Sequence, residues 1–126
     1  MPLGLFKELL PSLGNTGLVF LQGWGEPLLN KDLFEMIRLT KDQGNRVGFT
    51  TNGMLLNEEV MQRVIDLDLD ILGLSFAGAT SLTHNRIRRG TDFERIISQL
   101  DRLHNIKKER KKAHPSVHLA YLMLKS

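Results

Sequence analysis

Hydrophobic positions along the chain alternate between helical and strand spacing. Leu3, Phe6, Leu10 and Leu13 recur at helical intervals before Gly14, which predicts a first helix over residues 1–13. The apolar run that follows predicts a strand near 17–22. Asn30 stands where a side chain caps the next helix, Asp32 suits its first turn, Leu33, Phe34 and Ile37 form its inner face, and Gly44 suits its left-handed end. A second strand is predicted near 46–50. Asn57 then caps a third helix with Glu58 and Glu59 in its first turn and Val60, Met61, Val64 and Leu67 turned inward. A third strand is expected near 69–76. Thr91 and Glu94 have the spacing of a capping box for a long helix whose stripe is Phe93, Ile96, Ile97, Leu100 and Leu103. Pro115 closes the next connection, and residues 117–124 read as a last strand.

Strands alternating with helices of this length imply right-handed crossovers and a parallel sheet, so the fold class is α/β, with residues 1–126 as one domain. In such sheets ligands gather at the carboxyl ends of the strands. The polar and glycine-rich irregularities of this chain fall there: Gly23 to Pro27 after the first strand, Thr50 to Gly53 after the second, and Ser75 with Gly78 at the end of the third. Three consecutive strands thus present one rim, which predicts a ligand site.

Composition narrows the classes of function. With 41% hydrophobic residues, 126 residues supply one core rather than two. No apolar run approaches the roughly 20 residues of a membrane span, and the amino terminus lacks a basic start followed by an apolar core, so a cytoplasmic protein without a membrane partner is expected. There is no cysteine, which removes disulfides, thiolate nucleophiles and cysteine-ligated metals from these residues. The formal charge is +3, and Lys107, Lys108, Arg110, Lys111 and Lys112 crowd one helix end, where cations meet the negative end of the helix dipole. No aromatic platform is interleaved with them, so no nucleic-acid partner is expected.

The segment Leu18–Pro27, Leu-Val-Phe-Leu-Gln-Gly-Trp-Gly-Glu-Pro, carries the sharpest chemistry. A strand stops on two glycines that allow a ligand close to the backbone, and Pro27 biases Glu26 toward an extended conformation expected to aim its carboxylate away from the following helix. Gly23-x-Gly25 lacks the third glycine of a dinucleotide fingerprint, and no phosphate-loop Gly-Lys-Ser/Thr occurs. His104 and His114 read as solvated helix residues, and His84 is placed in the loop after the third strand near the rim.

Taken in order, Gly25-Glu26-Pro27, Thr51-Asn52-Gly53, and Leu74-Ser75-Phe76 ahead of Gly78, His84 and Arg88 resemble the middle of the radical S-adenosylmethionine (radical SAM) superfamily. More narrowly, the stretch is similar to members with an accessory iron-sulfur domain of the SPASM type. The likeness runs from about Leu18 to Ser126. It implies an incomplete segment of a partial (β/α)6 TIM barrel, covering its second to fifth strands. It further implies an oxidoreductase parent protein in which a four-iron four-sulfur (4Fe-4S) cluster cleaves S-adenosylmethionine to a 5′-deoxyadenosyl radical that takes a hydrogen from a substrate, peptide or small molecule. By the same likeness Gly25, Glu26 and Pro27 would receive the amino group of the cofactor, Ser75 its carboxylate or ribose, and Arg88 its carboxylate, with Arg86 as fallback and Asn52 as a further rim residue. Trp24 stands where glycine is commoner, and Ala77 where many relatives have aspartate.

The family's Cys-x3-Cys-x2-Cys loop is missing, so this chain by itself is expected to hold neither the cluster nor S-adenosylmethionine and to carry no radical chemistry. A barrel segment of this kind leaves strand edges open, which predicts self-association. Two other readings remain open at this point. One is a non-catalytic α/β interaction module in which Glu26 serves helix entry. The other is a metal-independent barrel lyase or hydrolase using Glu26 with His84 as an acid/base pair.

Overall fold

The computed structural model describes residues 1–122. Its elements follow the order α1 (Leu3–Leu13), β1 (Leu18–Phe20), a 3-10 turn (Pro27–Leu29), α2 (Leu33–Asp42), β2 (Arg46–Thr51), α3 (Glu58–Asp66), β3 (Ile71–Phe76), α4 (Ser81–Ile87), α5 (Phe93–Glu109) and β4 (Ser116–Tyr121). The four strands form one parallel sheet in the order β1-β2-β3-β4. The predicted parallel α/β fold is the one observed. Residues 123 and 124 of the predicted last strand lie outside the described residues.

Side-chain alternation divides the sheet into two faces. Val47 and Phe49 of β2 and Leu72, Leu74 and Phe76 of β3 are buried against Leu33, Phe34 and Ile37 of α2, Met61, Val64 and Ile65 of α3, and Ile96, Leu103 and Ile106 of α5. Each fully buried side chain of this size contributes about 1.5–3 kcal/mol through apolar burial. Phe6 and Leu10 of α1 pack with Met36, on the flank of α2, as a smaller cluster. The opposite face carries Phe20, Gly48, Thr50, Ile71, Gly73 and Ser75, and is lined by small or polar groups toward its carboxyl-terminal end. A Cβ on Gly48 would lie 2.6 Å from the Phe20 ring, and one on Gly73 would overlap the Thr50 hydroxyl, so both glycines make room for side chains of the neighbouring strand.

Several local expectations are corrected. The helix expected near Asn30 begins at Leu33; Asn30 instead ends the 3-10 turn, and its Oδ1 accepts from the Asp32 amide at 3.0 Å. The box expected at Thr91 and Glu94 does not form, because the Thr91 hydroxyl donates to the Arg88 carbonyl at 2.6 Å and Asp92 caps α5 through the Arg95 amide. Ile97, expected in the inner stripe, is exposed. His84 lies in α4, an element absent from the sequence reading, and His114 lies in the connection before β4 rather than in a helix. The basic helix end is partly tied down: Arg110 pairs with Asp66 at 2.6 Å, and the Lys107 amine donates to the Pro115 carbonyl at 2.6 Å, with burial holding its pKa below the lysine value. As expected, Asn57 caps α3 through the Val60 amide at 2.9 Å and Gly44 adopts a positive φ after α2.

Candidate functional site

The carboxyl ends of β1, β2 and β3 enclose a cleft of about 400 Å³ lined by Gln22, Gly23, Gly25, Glu26, Thr50, Thr51, Asn52, Ser75 and Arg88. Gly25, Glu26, Asn52, Ser75 and Arg88, separated by more than sixty positions in sequence, are thereby brought to one place. Pro27 instead faces a neighbouring hollow of about 380 Å³ bounded by Phe6, Phe20, Leu21, Leu33 and Met36. Between the two runs the loop Gln22–Glu26, with Trp24 at its tip and fully exposed.

Glu26 is the centre of the rim. Its backbone is extended (φ −99°, ψ 116°), as Pro27 requires. Its carboxylate, however, is not aimed away from the following turn: Oε1 accepts from the Leu28 amide at 3.2 Å and caps that turn. Oε1 also accepts from the Thr51 hydroxyl at 2.5 Å, and Oε2 accepts from the Asn52 amide at 2.8 Å. One carboxylate therefore ties the β1 loop to the end of β2. An ionised carboxylate offers about four acceptor positions, so this arrangement leaves capacity on Oε2 for one further donor.

Thr51 was not singled out as a site residue from sequence. Its position offered a signal: a hydroxyl on the buried face of a strand requires a partner, and Glu26 is that partner. Its oxygen also accepts from the Gly53 amide at 3.1 Å, and Asn52 Oδ1 accepts from the Met54 amide at 2.9 Å, so the turn after β2 is held by its own side chains.

Cationic character enters from α4. Arg88 ends α4 and lines the cleft, and its Nε is buried with no hydrogen-bond partner among the described residues. Arg86, the fallback, is exposed and does not line the cleft. His84 is fully buried one helical turn before Arg88. Its Nδ1 accepts from the Ala77 amide at 3.3 Å, and its ring packs against Phe76 and Phe93. Burial, and then the nearby Arg88 charge, holds its pKa below the histidine value. It does not line the cleft, so it offers no acid/base partner to Glu26.

The model of the radical SAM superfamily matches residues 3–125. The chain belongs to the radical SAM superfamily. The match takes in α1, ahead of the stretch that carried the resemblance in sequence. Among curated relatives, the chain is 35% identical over 97 residues to an AdoMet-dependent heme synthase of Methanosarcina barkeri, covering 76% of this chain and 27% of that protein. It is 33% identical over 112 residues to an uncharacterized protein of Methanocaldococcus jannaschii, covering 88% and 37%. It is 30% identical over 81 residues to the mycofactocin maturase MftC of Mycobacterium ulcerans, covering 64% and 22%. Among solved structures, BtrN in complex with AdoMet and 2-DOIA matches with a TM-score of 0.67 at 23% identity, over 96% of this chain and 44% of that one, and shows the shared fold. The radical SAM chain described here thus spans between about a quarter and two fifths of the length of the first curated relatives it matches.

Superfamily members use S-adenosylmethionine and an iron-sulfur cluster, and this segment fits the two differently. The methionine end of the cofactor is a zwitterion. The cleft is lined by an acceptor at Glu26, a donor at Arg88 whose Nε has no partner among the described residues, and a hydroxyl at Ser75, which suits both charges. The cluster does not fit: these 126 residues contain no cysteine, and among the described residues no group of three His, Asp or Glu is placed to hold a metal ion. Among the described residues, no helix is long and apolar enough to cross a membrane.

Proposed function

We propose that the cleft between the ends of β1, β2 and β3 binds the methionine end of S-adenosylmethionine, and that this segment serves a radical SAM oxidoreductase whose cluster ligands come from outside these 126 residues. The convergence on one cleft of Glu26 and Arg88, whose Nε has no partner among the described residues, carries this reading. Oε2 of Glu26 and the carbonyls of the Gly25 loop accept the ammonium, Arg88 and Ser75 donate to the carboxylate, and Asn52 shapes the rim. When bound beside a reduced cluster, the cofactor supplies a radical. The residues of this chain bind and orient it. The heme-synthase and maturase names of its relatives leave the substrate, peptide or small molecule, a matter for the whole protein.

Isothermal calorimetry with S-adenosylmethionine and the isolated chain tests the reading. Binding is expected, and Arg88→Ala should weaken it about ten- to a hundredfold, the worth of a charge-assisted hydrogen bond. Heats equal to dilution for the wild-type chain, or the same affinity for the wild type and Arg88→Ala, would overturn it.

The internal engagement of Glu26 supports a second reading, a non-catalytic interaction module in which Glu26 only braces the rim. Under that reading Glu26→Ala lowers stability and there is no cofactor affinity to lose. Self-association through the open sheet edges is compatible with either.

A further inference from the structure

We propose that His84 is the positioning residue for Arg88, acting as a neutral imidazole that pins the end of β3 to the last turn of α4. The inference rests on the cofactor reading only for its consequence; the pinning is a property of the chain itself. His84 joins three elements. From β3, Phe76 packs edge-on against the imidazole with centroids 5.3 Å apart, and the Ala77 amide donates to Nδ1 at 3.3 Å. From α5, Phe93 packs at 5.6 Å. Within α4, the backbone carbonyl of His84 accepts from the Arg88 amide at 2.8 Å, so the helical turn anchored by the imidazole is the one that ends at Arg88. The Arg88 carbonyl is held in turn by the Thr91 amide and hydroxyl. Gly78 is part of the fit, since a Cβ there would lie 2.5 Å from the His84 amide nitrogen.

The hydrogen bond dictates the tautomer. A nitrogen that accepts from an amide carries no proton, so the proton of His84 resides on Nε2, which is buried among the aromatic rings with no hydrogen-bond partner among the described residues. A second proton on Nδ1 would set two donors against each other at the end of β3. It would also place an imidazolium beside the Arg88 guanidinium, the one charge that acts on His84 among the described residues, with Phe76 and the Ala77 amide on the β3 side and Phe93 on the α5 side. The neutral ring is therefore the form that holds Arg88 where the cleft needs it, and acidification releases the arginine.

Nitrogen-15 NMR of the chain reads this directly. His84 is expected as the Nε2–H tautomer near neutral pH, and acidification should move the Arg88 Nε–H and Ala77 amide signals with the midpoint of His84. In His84→Asn, where a carbonyl replaces the accepting nitrogen and does not titrate, those signals should keep neutral-pH positions down to about pH 5. In His84→Leu they should be displaced at every pH, and affinity for S-adenosylmethionine should fall about tenfold or more, with His84→Asn restoring it. Should His84→Leu fail to fold, the wild-type titration decides alone. Arg88 signals that ignore the His84 midpoint, or a proton found on Nδ1, overturn the inference. Coupled signals in a chain that binds no S-adenosylmethionine leave the positioning intact and remove the cofactor reading. Equal affinities in the wild type and a folded His84→Leu do the reverse.

Discussion

A buried or half-buried carboxylate must be matched by donors, and two such groups organise this molecule at opposite ends of its sheet. Glu26 does so at the rim. At the amino-terminal end, Asp70 accepts from the Lys41 amine at 2.9 Å and from the Val47 amide at 2.8 Å, with Arg46 nearby. Burial pushes its pKa up, but the Lys41 and Val47 hydrogen bonds and the charges of Lys41 and Arg46 overcome this and hold it below the carboxylate range. A carboxyl whose folded pKa is depressed stabilises the fold above its unfolded pKa, and that stability is lost as pH falls through the folded value. Asp70→Asn should therefore cost about 1.5–3 kcal/mol in urea unfolding near pH 7, and the gap to the wild type should close below about pH 4. Equal losses at both pH values would show that geometry rather than charge is at stake. Gly73 offers a steric test. Gly73→Ala should cost about 1–3 kcal/mol by overlap with the Thr50 hydroxyl, and Thr50→Ala should restore part of it, because the Thr50 Cβ, 3.1 Å from the added methyl, remains. Additive losses in the double variant would refute that contact.

Elements with strong periodicity were legible in the sequence, and those held by polar contacts were not. α3 has its cap, its acidic first turn and its apolar stripe in continuous sequence, and all three are present in the structure. α4 has no such stripe: Leu82 is exposed, and the buried residue is His84. Its stability comes from a reciprocal cap between Thr80 and Thr83 and from a histidine that finds a partner only on β3. The Thr80-x-x-Thr83 spacing was the available signal. The start of α5 shows the opposite failure, a box suggested by spacing but lost because the Thr91 hydroxyl serves the end of α4. Asp92→Ala should accordingly lower stability by about 1 kcal/mol, whereas Glu94→Ala should leave it near the wild-type value; thermal unfolding of the two variants separates the assignments.

Over the whole molecule, both outer strands of the sheet have one unpaired edge among the described residues. On β4, Val117, Leu119 and Tyr121 pair in register with Leu72, Leu74 and Phe76, on the face the helices cover elsewhere, yet all three are exposed. Open edges with apolar flanks favour strand pairing between copies. The isolated chain should sediment with a concentration-dependent mass, and Leu119→Lys should shift it toward monomer; a monodisperse monomer at high concentration in the wild type would contradict this. The sequence by itself determined the parallel α/β order, most of the helix faces and the gathering of the glycine-rich and polar turns at one rim, because periodicity and chain direction are local properties that a parallel sheet converts into position. Tertiary structure alone decided that Glu26 is shared between a turn and a neighbouring strand, that Arg88 rather than Arg86 meets the cleft, and that His84 is buried behind it. Those outcomes depend on which groups from distant segments come within hydrogen-bonding distance, and no spacing along one strand or helix records that.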